Sequence, residues 1–275
     1  MSRPMRFEDK VAIITGASRG IGKAIAVALA REGCDIVVAS KTDEPDPRLP
    51  GTIRETAAEV EAAGRRALAL KVDVRSEDEI QAMVDKAVAT FGRIDFMIHN
   101  AGAIFLAPVE QMPVKRFDLV MGVNVRAAFA GSQAVIPIMR KQGFGHILMM
   151  SPPLSTSPQP GKAAYSVSKF GMTLIAVSLA EELRGTGIGV NALWPVTAIE
   201  TQATRHFNLG RPEDWRSPDI LVDATLAIFG RDPATCTGNA FLDEDVLRAE
   251  GVTDFARYAQ VPGTTPPPLS AYFLK

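Results

Sequence analysis

The chain has 275 residues, 47% of them hydrophobic, with 30 basic and 31 acidic side chains and a formal net charge of −1. That is ample apolar material for one large α/β core, and the balanced charge excludes a polyanionic partner such as nucleic acid. Cys34 and Cys236 stand in no metal or redox spacing. They read as packing residues in a reducing, cytoplasmic compartment, and no metal is expected. Neither a secretory signal nor an apolar run of about 18 residues is expected to take the chain to or across a membrane.

Strand-like and helix-like patterns alternate along the chain. Strands are predicted at 11–15, 35–40, 67–72, 94–99, 146–151, 189–193 and 239–242. Helices are predicted at 20–31, 52–63, 77–91, 115–141, 163–184 and 219–229. Strict β-α alternation predicts a Rossmann-like, three-layer αβα sandwich on a mostly parallel seven-stranded sheet. One domain spans 1–275, with an irregular C-terminal tail from about 244. Residues 41–51 are Pro-rich and polar, a loop beyond the second strand, and 261–269 read as an extended tail. Residues 201–217 follow the sixth strand, where they serve either as a lid or as a surface excursion.

The segment 11–22, V-A-I-I-T-G-A-S-R-G-I-G, runs an apolar strand into a glycine turn and then a helix. This order presents backbone N–H groups and a helix N-terminus to a pyrophosphate. Gly16 lets the chain leave the strand, Gly20 admits the phosphates, and Gly22 lets the helix sit close to the sheet. The second strand ends Ala39-Ser40-Lys41 without the carboxylate that holds a ribose 2′-OH. Arg19 and Lys41 instead suit a 2′-phosphate, so NADP(H) is the expected cofactor.

Tyr165 and Lys169 stand four apart on one face of the fifth predicted helix. A nearby ammonium lowers a phenol's pKa and fits it for proton transfer. With H-N-A-G at 99–102 and Asn124, the set resembles the short-chain dehydrogenase/reductase family over roughly residues 8–243. The resemblance implies hydride transfer between a nicotinamide and a carbonyl or alcohol carbon. Tyr165 becomes the general acid/base. Lys169 lowers its pKa and holds the nicotinamide ribose, and Asn124 fixes a relay water. Gly16, Ser18, Arg19, Gly20, Ile21, Gly22, Lys41, Asp73, Val74, Asn100, Ala101, Gly102, Tyr165, Lys169 and Pro195 become the cofactor contacts. Relatives form homodimers or homotetramers through their fourth and fifth helices. Phe129, Val135, Met172, Ile175 and Leu179 are candidates for that surface, and an internal core explains them equally well.

Three positions depart from the family pattern. Pro152 occupies the place of the catalytic serine, leaving Ser151, Ser155 or Ser157 as replacements. Ser151 is the candidate, although neighbours on a strand point to opposite faces. His99 replaces an asparagine and reads as a packed strand-end residue. Val196 stands where glycine is usual, so the cofactor-gripping threonine is Thr197 or Thr201. S-P-P-L at 151–154, A-S-K-T at 39–42, N-A-L-W-P at 191–195 and T-G-N-A-F-L-D-E-D at 237–245 resemble the hydroxysteroid dehydrogenase-like protein 2 branch, reductase part only. That branch implies a small apolar, lipid-like substrate, with Ile104, Phe105, Leu106, Met149, Met150, Trp194 and Phe207 as candidate lining or core. The alternative is an NADP(H)-binding protein with weak or no catalysis, acting as a scaffold, because Pro152 removes a hydroxyl donor.

Overall fold

A computed structural model describes residues 5–46, 50–157 and 160–269. In chain order the first half holds β1 (Val11–Thr15), α1 (Gly20–Arg31), β2 (Asp35–Ser40), α2 (Ile53–Ala62), β3 (Ala67–Lys71), α3 (Glu77–Phe91) and β4 (Phe96–His99). Then come α4 (Val114–Met121), α5 (Ala127–Gln142), β5 (Gly145–Met150), α6 (Ala163–Glu182) and β6 (Ile188–Trp194). The last part holds β7 (Ala198–Ile199), α7 (Gln202–His206), β8 (Trp215–Arg216), α8 (Asp219–Phe229), β9 (Ala240–Leu242) and α9 (Asp243–Ala249).

Seven strands form one parallel sheet in the order β3-β2-β1-β4-β5-β6-β9. Both faces are covered, so the central strands read as unbroken apolar runs. The side chains still alternate. Ala12 and Ile14 pack with α1, α2 and α8 on one face, and Ile13 packs with α3, α5 and α6 on the other. The strand order reverses between β1 and β4. A crevice beyond the strand ends at this switch point is where α/β sheets take their ligands.

Several boundaries differ from the sequence expectation. The predicted helix 115–141 is divided into α4, a π-helical turn at Gly122–Arg126, and α5. Asn124 lies in that turn, and its side-chain bonds to another segment hold the extra residue in place (below). The segment 201–217 is not wholly irregular. Thr201 caps α7 through a reciprocal pair with Thr204, and β8 pairs with β7. The stretches Val114–Gln142 and Ala163–Glu182 are apolar and long enough to cross a bilayer by length and composition. In this fold each lays a buried face on the sheet. Val135 and Met172 belong to that core, which removes them from the candidate oligomer surface, whereas Phe129 is exposed.

Candidate active site

The glycine turn is built by close approach. Gly16 has φ +67°, and a Cβ there would lie 2.8 Å from the Cα of Ala101. A Cβ on Gly22 would lie 2.4 Å from Asn100 Nδ2. Any larger residue would push β1 and α1 off the segment after β4. That segment is tied to the turn directly. Asn100 Nδ2 donates to the carbonyls of Thr15 and Gly16 at 3.0 and 3.1 Å, and Ala101 N–H donates to Thr15 Oγ1 at 3.1 Å. α1 starts at Gly20 with no side chain capping its first N–H groups. Those donors face the crevice end of the sheet, as an anion site requires.

A cleft of about 330 Å³ opens there. Arg19, Gly20, Ile21, Asn100 and Gly102 line it together with Tyr165, Lys169, Trp194, Pro195 and Thr197. Ile104 and Met150 add apolar wall. The structure thus brings together the glycine turn, the β4 loop, Tyr165 and Lys169 from separate parts of the chain. Thr197 and Thr201 both line the cleft, so the choice between them stays open.

Lys169 is buried, and its Nζ donates to the Met150 carbonyl at 2.7 Å, with the ring centre of Trp194 5.4 Å away. Burial pulls its pKa down to about 8. Tyr165 moves the other way, because burial pushes its phenol above the usual value. The expected lowering of Tyr165 by Lys169 is therefore not what this structure has. The ammonium is turned to Met150, and desolvation decides. Tyr165 therefore stands as a neutral phenol that holds its proton tightly.

Two expected catalytic residues take other places. Asn124 is buried and outside the cleft lining. Its Oδ1 accepts from Ala103 N–H at 2.8 Å, and its Nδ2 donates to Ala103 O at 3.0 Å and to Ser168 Oγ at 2.8 Å. It ties the β4 loop to α6. Ser151 is fully buried, with Thr173 Oγ1 2.8 Å from its Oγ. Its hydroxyl points into the sheet–α6 packing, so Ser151 is corrected from candidate catalyst to buried brace. Ser155 and Ser157 are exposed and do not line the cleft either.

The adenosine end has a similar mixture. Arg19 Nη2 donates to Gly51 O at 2.9 Å, while its Nε is buried without a partner. Ser18 Oγ lies 3.3 Å from Ser40 Oγ at the end of β2, and Lys41 is exposed beside them. Asp73 is held down to about 2 by the hydrogen-bonded Arg75 guanidinium. Val74 is buried and lines a small internal cavity under the cleft with Thr15, His99 and Asn124. His99 meets Ser132 Oγ at 3.0 Å, and burial pulls its pKa to about 3, as befits a packed neutral ring. Met149 is core, and Phe207 stands edge-on to His206.

One contributor was not read from the sequence. Asp243 is fully buried, and its Oδ1 accepts from Val196 N–H at 2.9 Å and Glu244 N–H at 2.8 Å. It fixes the loop that carries Pro195 and Thr197. Burial raises its pKa to about 6. The only trace in the sequence is an acid at the first position of an unrecognised helix. Among the described residues, no cluster of His, Cys, Asp or Glu is arranged to hold a metal.

A family model described as short chain dehydrogenase matches residues 10–211. The chain is a member of the short-chain dehydrogenase/reductase family. It is 47% identical over 264 residues to hydroxysteroid dehydrogenase-like protein 2 of Xenopus tropicalis, covering 95% of this chain and 62% of that protein. The Rattus norvegicus relative is also 47% identical, and the chain spans 50% of it. A candidate dehydrogenase from Xanthomonas campestris superposes with TM-score 0.92 at 41% identity, covering 95% of this chain and 97% of that one. At 28% identity and 86% coverage of this chain stand a short chain dehydrogenase from Mycobacterium paratuberculosis bound to NAD and a metagenomic short-chain oxidoreductase in complex with NADP. Their TM-scores are 0.75 and 0.73, with 97% and 98% of those chains covered. The chain thus carries the oxidoreductase fold of the short-chain dehydrogenase/reductase family, and two of its structural neighbours hold a nicotinamide cofactor.

Proposed function

We propose that the protein is an NADP(H)-dependent oxidoreductase acting on a carbonyl/alcohol pair in an apolar, lipid-like substrate. The observation that carries this reading is the convergence of Tyr165, Lys169 and the glycine turn on one apolar cleft. The residues present fit the cofactor. The uncapped α1 terminus suits the pyrophosphate, and the unpartnered Arg19 Nε with Lys41 suits a 2′-phosphate. When bound, the cofactor supplies or accepts hydride at the nicotinamide C4.

The chain's own residues then do the rest. Tyr165, a neutral phenol at pH 7, donates its proton to the carbonyl oxygen in the reductive direction. Lys169, in the lining of the same cleft, holds a positive charge below about pH 8. That charge opposes the build-up of negative charge when the phenol loses its proton. Trp194, Met150 and Ile104 keep water from the reacting carbon. Asn124 and Asp243 act through the loops they hold. Exposed Phe129, Val167 and Leu174 on α5 and α6 support a homo-oligomer.

The second reading, cofactor binding with slow turnover, draws support from Ser151, whose hydroxyl faces Thr173. A screen of ketones and aldehydes following NADPH oxidation separates the two readings. The cofactor assignment is tested by titrating NADPH and NADH. NADPH binds more tightly, and Arg19→Ala and Lys41→Ala weaken NADPH alone. Tighter NADH binding by the unmutated protein contradicts the assignment.

A further inference from the structure

The C-terminal tail returns to the site. Pro268 forms an antiparallel bridge with Thr197, and Leu269 N–H donates to Val196 O at 2.7 Å. Val196 is thus held at both backbone groups, by Asp243 on its N–H and by Leu269 on its carbonyl. The tail is strapped to the loop bordering the cleft, some 70 residues away in sequence.

The strap also builds wall. Leu269 lines the main cleft and, beside it, a second chamber of about 170 Å³. Ala198 and Leu209 are the other walls shared by both spaces; Leu106 adds a further apolar side to the second, and Lys162, Asn208 and Gly210 complete its lining. The two spaces therefore adjoin across three small or aliphatic side chains, with Tyr165 and Lys169 only in the first. A substrate whose carbonyl sits at Tyr165 would reach the second chamber with a chain that passes these shared walls.

We infer that this side chamber is a binding subsite for an unbranched hydrocarbon chain attached to the reacting carbonyl or alcohol, and that Leu269 of the strap sets the chain length accepted. The inference rests on the oxidoreductase reading for the position of the carbonyl, and not for the chamber itself. Burying one methylene contributes about 0.8 kcal/mol. Affinity should therefore rise three- to fourfold per added carbon until the chamber is full.

Binding is measured without turnover. Trp194 lines the cleft, and Trp215 Nε1 donates to Leu209 O at 2.7 Å, so intrinsic fluorescence reports on both spaces. The full chain, saturated with NADP, is titrated with 2-ketones from four to twelve carbons. Affinity is expected to climb with length and then level off. Leu269→Trp fills the chamber and should flatten the series, so that affinity no longer climbs with chain length. Leu209→Trp narrows the chamber from a different segment of the chain and should flatten the series as well. Leu269→Ala keeps the main-chain bond and should move the plateau to longer chains.

A flat series in the parent protein overturns the inference. So does a length dependence that neither tryptophan variant alters. A climbing series with no NADPH oxidation on any ketone upholds the subsite and overturns the oxidoreductase reading instead.

Discussion

Thr173 Oγ1 lies 2.8 Å from Ser151 Oγ and 2.7 Å from the Pro152 carbonyl. One threonine on α6 therefore fastens both residues that follow β5, and the serine hydroxyl is committed to packing. Ser151→Ala should leave turnover within about threefold of the parent. It should lower stability by about 1 kcal/mol, the net worth of one buried hydrogen bond. Urea unfolding with steady-state rates checks both. A hundredfold loss of turnover with unchanged stability would return Ser151 to the reacting groups.

Lys169 sets function against stability. Its pKa falls from the usual 10.5 to about 8 because its ammonium is buried. Below pH 8 the folded and unfolded states are both protonated and the burial penalty is complete. Between about 8 and 10.5 the unfolded state binds more protons, so this residue's contribution becomes more favourable as pH rises. Lys169→Met removes the buried charge but strands the Met150 carbonyl. The net gain should be about 1–2 kcal/mol at pH 7, shrinking to nothing or reversing by pH 10.5. Chemical unfolding at the two pH values measures it. The variant should lose turnover, as expected where an active site holds strain at the cost of stability.

Asp243 gives the opposite slope. Its pKa is raised to about 6 by burial, so the folded state binds more protons between about 4 and 6. Its contribution to stability falls as pH rises through that window and is constant above it. Asp243→Asn keeps an oxygen for Val196 and Glu244 and cannot ionise. Its stability relative to the parent should rise by about 2–3 kcal/mol between pH 4 and pH 7, as a pKa shift of that size dictates. Thermal unfolding across the range checks it, and a flat difference contradicts it.

The sheet was legible because each central strand is a short β-branched or apolar run bounded by glycine or polar residues. Tyr165 and Lys169 were legible because four residues is one helical turn. The rest depends on contacts between distant segments. No local pattern says that Asp243, at the start of α9, holds Val196, or that Leu269 reaches back to the same loop. The π-helical turn at Asn124 is stabilised by its bonds to Ala103 and Ser168, which a helical periodicity does not contain. Ser151 was misassigned because the Pro152-Pro153 pair leaves its direction undetermined until α6 is in place.

The central claim is that Tyr165 transfers the proton in a nicotinamide-dependent reduction. It is tested most directly by comparing Tyr165→Phe with the parent on the best ketone found, following NADPH oxidation at pH 7, with NADPH affinity measured alongside. Turnover should fall at least about a hundredfold, with affinity for NADPH unchanged. Equal turnover by the two proteins would contradict the account.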